Sequence, residues 1–475
     1  MDAKLSNFSE LSNILSVKSS LRTNLMSLFT RFGLGHLLCR MSLEKQAGIP
    51  TVLLILSLCL FRIAGESIHS MYKKSYYDLL NTGHNCYYRM MRRATMDWRK
   101  LLIGMALRFL AILRKEHAEV SSDNASYIFD DTTLEKTGYG IEQISRVFDH
   151  VQGKCILGFK LLVCAFFDGK STIPIDMSLH CEKGKKKDFG LTAKQRKNRF
   201  SKKRKKEDPN FMRFKESTDS KLQVAVEMLK RAWAHKSLRA KYVLCDSWFT
   251  CEYFISEVLK LGKGALHLVG LAKMGNTKYM TTNWGELSAK AIITKLKAKK
   301  EVKYSRRYHC HYSEIEVVLG KRSVKLFFCK RGKKEAWKVL LTTDLNLRFM
   351  RAYEIYSMRW SIEVFFSDSK RLLGLADCSS RDFSAHIAHV SLVMIRYNIL
   401  ASIKRTLDYD TIGGLFGDMY LGVHELTVVE KIWAIIIEVV AVVSELIGAD
   451  SDELTIQIIE NDKRLAALRE YAQTA

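Results

Sequence analysis

The chain has 475 residues, of which 47% are hydrophobic and only three are proline, which excludes a disordered or proline-rich polymer. That length can bury a large core and holds roughly three or four structural units. A net charge of +26 points to a polyanionic partner, nucleic acid before an anionic membrane. Eleven cysteines are scattered without a CxxC pair, as befits reduced thiols in the cytoplasm. No secretory leader is recognisable. The apolar runs Val52 to Phe61 and Ile432 to Val443 are too short to cross a bilayer, so no membrane partner is expected.

Residues 1–118 read as helical, with apolar side chains at three- and four-residue spacing. A basic cluster gathers at Arg89, Arg92, Arg93, Arg99 and Lys100, and Thr82-Gly83 offers a turn between helices. The period then changes. Tyr127-Ile-Phe-Asp-Asp131 predicts a short strand ending in carboxylates, followed by Thr132-Thr133. Lys160–Phe167, the dipeptide Asp168-Gly169, and Ser171–Leu179 predict a hairpin. Asp130 and Asp131 point to opposite faces of a strand, so one of them at most reaches a shared site.

Residues 183–206, KGKKKDFGLTAKQRKNRFSKKRKK, carry one acid, Asp188, and predict an exposed loop that meets phosphate without sequence preference. Ser217-Thr218-Asp219 predicts a helix cap, and that helix runs to about His235. Lys241–Cys245 is a buried-type strand that ends at Asp246, just before a helix. This places a carboxylate where α/β sites form, although an N-cap would use the same residue. Leu266–Ala272 predicts a further strand. Ile315–Leu319, Val324–Phe328 and Trp337–Leu341 predict a β-rich segment.

Arg348–Gly374 lacks proline and predicts one long helix that Gly374 terminates. At about 100° per residue, Tyr356, Arg359, Glu363 and Lys370 share a stripe roughly 60° wide. A carboxylate flanked by a phenol and two cations suits a metal-assisted phosphodiester site. A solvated face held by an Arg359–Glu363 pair is the plainer alternative. Ala385–Lys404, Val428–Ile447 and Glu453–Tyr471 predict further helices.

Tyr356-x2-Arg359-x3-Glu363-x6-Lys370 resembles the Y-x2-R-x3-E-x6-K signature of a large group of DDE transposases of bacterial insertion sequences. Ser70–Leu102 resembles, more loosely, their helical DNA-binding front end. The resemblance implies an α/β protein with a ribonuclease-H-like catalytic core in two parts, 119–272 and 344–407. An all-β insertion, 273–343, would divide the core, between a helical DNA-binding domain, 1–118, and a C-terminal helical region, 408–475. It implies two Mg2+ (or Mn2+) ions held by three acids. Glu363 would be the third and Asp246 the second. Asp131, followed by a hydroxyl residue, would be the first, with Asp130 as the alternative.

Tyr356, Arg359 and Lys370 would hold transposon ends of double-stranded DNA, and a homodimer would form in the DNA complex. Cut-and-paste transposition through hairpin ends would be the activity. Trp337 would be a candidate to stack on a flipped base, with core packing as its alternative. A structure-specific nuclease on the same core, or a domesticated DNA-binding protein without turnover, are the rival readings. Inverted repeats flanking the coding region would separate the first rival from a transposase.

Overall fold

The computed structural model describes residues 32–63, 65–70, 83–115, 122–332, 334–407 and 409–421. Thr82 of the expected turn and the helices expected at 428–447 and 453–471 lie outside the described residues.

The framework is one mixed sheet of twelve strands among the described residues. Its first strands are β1 (Ser126–Glu135), β2 (Ser145–Asp149), β3 (Lys154–Phe167) and β4 (Thr172–His180). They are joined by β5 (Tyr242–Cys245), β6 (His267–Ala272), β7 (Lys278–Thr281) and β8 (Gly285–Ser288). The last are β9 (Lys303–Ser305), β10 (Cys310–Leu319), β11 (Arg322–Lys330) and β12 (Lys338–Thr342). The β3–β4 hairpin forms about Asp168-Gly169 as the sequence expected, and β1 pairs antiparallel with β3. On its other side β1 runs parallel to β5, and β5 parallel to β6. β12 continues the sheet antiparallel to β6. The β-rich segment therefore extends this sheet rather than forming one of its own. It is also not all-β: Ser288 caps a helix, Ala289–Ala298, through the backbone N–H of Ala291.

Four N-terminal helices are described: α1 (Leu34–Arg40), α2 (Thr51–Ile63), α3 (Asn85–Met91) and α4 (Trp98–Lys115). The long helix Phe383–Thr406 packs against α2, α3, α4 and β4. It is apolar and long enough to cross a bilayer, but nearly all of it is buried inside the fold, so it is a core helix. A buried ionic cluster fastens α4 to the sheet. Asp176 on β4 accepts from Arg99 of α4 at 2.9 Å and from Arg231 at 2.8 Å, with Arg213 at 3.5 Å. Burial alone would raise the Asp176 carboxyl; the three guanidiniums outweigh it and hold it at about 2.

Three expectations are corrected here. First, β1 does not end at its carboxylates; pairing with β3 carries it to Glu135. Second, residues 183–206 are not simply an exposed loop. Thr192 and Gln195 form a reciprocal capping box on a short helix, Ala193–Lys197. Arg204 is buried, donating to both carboxylate oxygens of Glu142 at 2.9 and 2.6 Å. Lys202 reaches Asp382. Lys185, Lys186, Lys187, Lys203, Lys205 and Lys206 remain exposed. Third, Arg348–Gly374 is two helices, Phe349–Ser357 and Trp360–Arg371. Between them the backbone stays right-handed, but the bonds tighten to three-residue spacing: Met358 to Ile355, Arg359 to Tyr356, Ile362 to Arg359. Neither proline nor glycine causes the break. Gly374 terminates the second helix as expected, at φ +67°, with the Leu375 N–H closing back on the Ser369 carbonyl.

Candidate active site

The site lies where β1 and β5 come side by side. Their parallel register pairs Phe129 with Cys245, and one residue further along are Asp130 and Asp246. Equivalent positions of neighbouring parallel strands face the same way, so these two carboxylates belong to one face. Asp131 points to the other.

Asp246 closes a tight turn rather than capping a helix. Its Oδ1 accepts from the N–H of Trp248 at 2.9 Å and of Phe249 at 3.4 Å, and its carbonyl accepts from Thr250 Oγ1 at 2.9 Å. The next helix, Glu252–Gly262, starts after Cys251. The turn folds back over Gly270 of β6. A Cβ there would sit 2.4 Å from the side-chain hydroxyl Thr250 Oγ1, so this close approach favours glycine.

Glu363 and its neighbours come from the helix Trp360–Arg371 and the turn before it. The Arg359 guanidinium bonds Asp130 Oδ2 through Nη1 at 2.8 Å and Glu363 through Nη2. The Arg359–Glu363 pair of the plainer reading is thus present, but it is not a solvated face: the same cation also grips a carboxylate 229 residues away. Lys370 donates to Thr132 Oγ1 at 2.7 Å. Asp130 and Thr132 alternate onto one face of β1, and the helix meets that face with Arg359 and Lys370. Tyr356 stacks beside Arg359, whose guanidinium carbon lies 5.7 Å from the ring centroid.

The Asp130 carboxyl is pushed up to about 7. Burial is the main cause, and Asp246 and Asp131 add to it, while Arg359 pulls the other way. Burial raises the Tyr356 phenol well above its ordinary value. For Arg359 burial is overcome by Tyr356, Asp130 and Glu363, so its charge is held more firmly. Burial lowers Lys370.

Asp131 does not face this site. Lys221 Nζ bonds its Oδ2 at 2.6 Å, and Lys160 Nζ stands 3.6 Å from Oδ1. Of the two adjacent aspartates expected as alternatives, the structure places Asp130, not Asp131, on the face that Arg359 ties to Glu363. Strand alternation flagged the choice, but only the pairing partner of β1 decides which face is which. Trp337 is half-buried against the core, with Lys297 Nζ 5.1 Å from its ring centroid. Among the described residues no three His, Cys, Asp or Glu side chains stand gathered as a ready metal cluster. In the described arrangement Arg359 is the cation shared by Asp130 and Glu363.

Two family models match the chain. A DDE superfamily endonuclease model covers residues 48–266, including Asp130 and Asp246. A transposase DDE domain model covers residues 215–399, including Asp246 and Glu363. The chain belongs to the DDE transposases. It is therefore an enzyme that acts on DNA, and such transposases use divalent metal ions, typically Mg2+. No curated protein matches the chain.

Proposed function

We propose that this DDE transposase uses Asp130, Asp246 and Glu363 as its metal-binding acids, on a ribonuclease-H-like core. The observation that carries the reading is the neighbouring register of Asp130 and Asp246, with Glu363 tied to Asp130 through one guanidinium. The core assignment is supported by the antiparallel β1–β3–β4 meander followed by β5 and β6 parallel to β1. Three carboxylates are a hard-oxygen donor set that fits Mg2+ or Mn2+, once Arg359 releases its two oxygens. Bound there, two such ions supply an activated oxygen nucleophile and stabilise the leaving oxygen of an in-line phosphoryl transfer.

The protein's own residues perform the rest. Asp130 must be ionised to act, and Arg359 favours that form against burial. When Arg359 leaves Asp130 and Glu363, its planar fork is free for a backbone phosphate of the transposon end. Lys370 reaches the adjacent phosphate from the same side, and Tyr356 holds Arg359 from behind. We read the activity as cut-and-paste transposition: end binding, cleavage through a hairpin at the ends, and joining of 3′ ends to target DNA. The helical region before residue 119 would bind inverted repeats, a homodimer would assemble on DNA, and the protein would work in the cytoplasm.

The test is a plasmid carrying the coding segment with its native flanks. Glu363→Gln and Asp130→Asn are expected to abolish cleavage while leaving gel-shift binding to those flanks intact. Metal-dependent cutting by either variant at the wild-type rate would overturn the assignment.

A further inference from the structure

Asp131 is the carboxylate next to the site that does not enter it, and its contacts lead back to the site by another route. Lys221, the first residue of the helix Lys221–Trp233, places its ammonium 2.6 Å from Asp131 Oδ2 and 4.3 Å from the centroid of the Trp248 ring. The backbone N–H of Trp248 donates to Asp246 Oδ1 at 2.9 Å, and its ring packs edge-on against Phe249. The Trp248 residue is 38% exposed, so packing alone does not fix its ring. Lys160, buried and donating to Thr133 Oγ1 at 3.0 Å, supports the other oxygen of Asp131.

We propose that Asp131 is a positioning residue: through Lys221 it clamps Trp248, and thereby the turn that presents Asp246. The physical reason is that Asp246 sits on irregular backbone between a strand and a helix, and one of the bonds that set its direction comes from the backbone of Trp248 itself. An ammonium over an indole face is held by the ring's quadrupole, and a carboxylate behind it fixes where the ammonium stands. The two neighbouring aspartates thus divide the work. Asp130 offers its carboxylate to the ion, and Asp131 holds the second acid in place from the opposite face of the strand. This rests on the reading of Asp130 and Asp246 as metal-binding acids.

The experiment measures Mn2+ binding to the full chain by the paramagnetic resonance signal of free Mn2+, with duplex-DNA affinity measured separately in EDTA. Lys221→Met is expected to weaken Mn2+ binding about tenfold, as removing a partner that orients a ligand typically does, with DNA affinity unchanged. Asp131→Asn is expected to do the same. Lys221→Arg keeps both interactions and restores wild-type binding. Trp248→Leu reproduces the weakening and Trp248→Phe does not, which serves should Lys221→Met fail to fold. Asp130→Asn is the control and abolishes Mn2+ binding outright. Wild-type Mn2+ affinity in Lys221→Met and Trp248→Leu, with Asp130→Asn defective, overturns the positioning role and leaves the site reading standing. Asp131→Asn abolishing binding while Lys221→Met is silent would make Asp131 itself the ligand. Unchanged Mn2+ binding in Asp130→Asn would bring down the site reading instead.

Discussion

Replacing Asp130 by asparagine should stabilise the metal-free protein, and by an amount that depends on pH. The carboxyl has been moved from its ordinary 3.8 to about 7, chiefly by burial. Keeping it ionised in the fold at pH 8 therefore costs roughly 4 kcal/mol relative to the unfolded chain. An acid whose folded value lies above its unfolded value carries no penalty below about pH 4. The penalty grows as pH rises through the interval and is complete above about 7. Asparagine has the same shape and no charge, so it escapes this cost. The attraction of Arg359 for the ionised form is already contained in that value, so it is not subtracted again. The expected gain is about 4 kcal/mol at pH 8, shrinking to about 1 kcal/mol near pH 4.5. Urea unfolding in EDTA across that range measures it, with activity abolished in the same variant. A stability gap that does not change with pH, or a variant less stable than wild type at pH 8, would refute the reasoning.

Neutralising the exposed Lys185, Lys186, Lys187, Lys203, Lys205 and Lys206 should flatten the salt dependence of DNA affinity. The log–log slope falls by about 0.9 for every phosphate that the protein no longer neutralises, read from binding isotherms at several salt concentrations. Arg204→Met, in the same basic stretch, should instead destabilise the fold by about 3–5 kcal/mol, because Glu142 would be left buried without its cation; thermal or urea unfolding checks this. Lys370→Ala removes a surface-directed ammonium bonded to Thr132, so end binding by gel shift should weaken about tenfold with Mn2+ affinity unchanged.

Periodicity and punctuation carried most of the elements. The β3–β4 hairpin follows from two β-rich runs about Asp168-Gly169, and Gly374 ends its helix because only glycine tolerates that backbone cheaply. The stripe Tyr356–Arg359–Glu363–Lys370 was visible because residues three, four and seven apart stack on a helix whatever surrounds it. It survived even where the helix itself proved to be two, since a tight turn of right-handed backbone keeps neighbours on nearly the same side. The position of Asp246 at the end of β5 was legible because a carboxylate at a strand's end is a local pattern.

What local pattern does not contain is which strand lies beside which. Asp130 and Asp131 are equivalent to any reading of β1 alone, since alternation says only that they part. The β1–β5 register and the arrival of Arg359 from a helix far along the chain send Asp130 into the site and leave Asp131 to Lys221. Tertiary structure likewise split the basic stretch, burying Arg204 against two acids while leaving its lysine neighbours in water. The chemistry of this protein is written in its residue types and spacings. The choice between adjacent, chemically identical side chains belongs to long-range packing, because only the partners each one meets distinguish them.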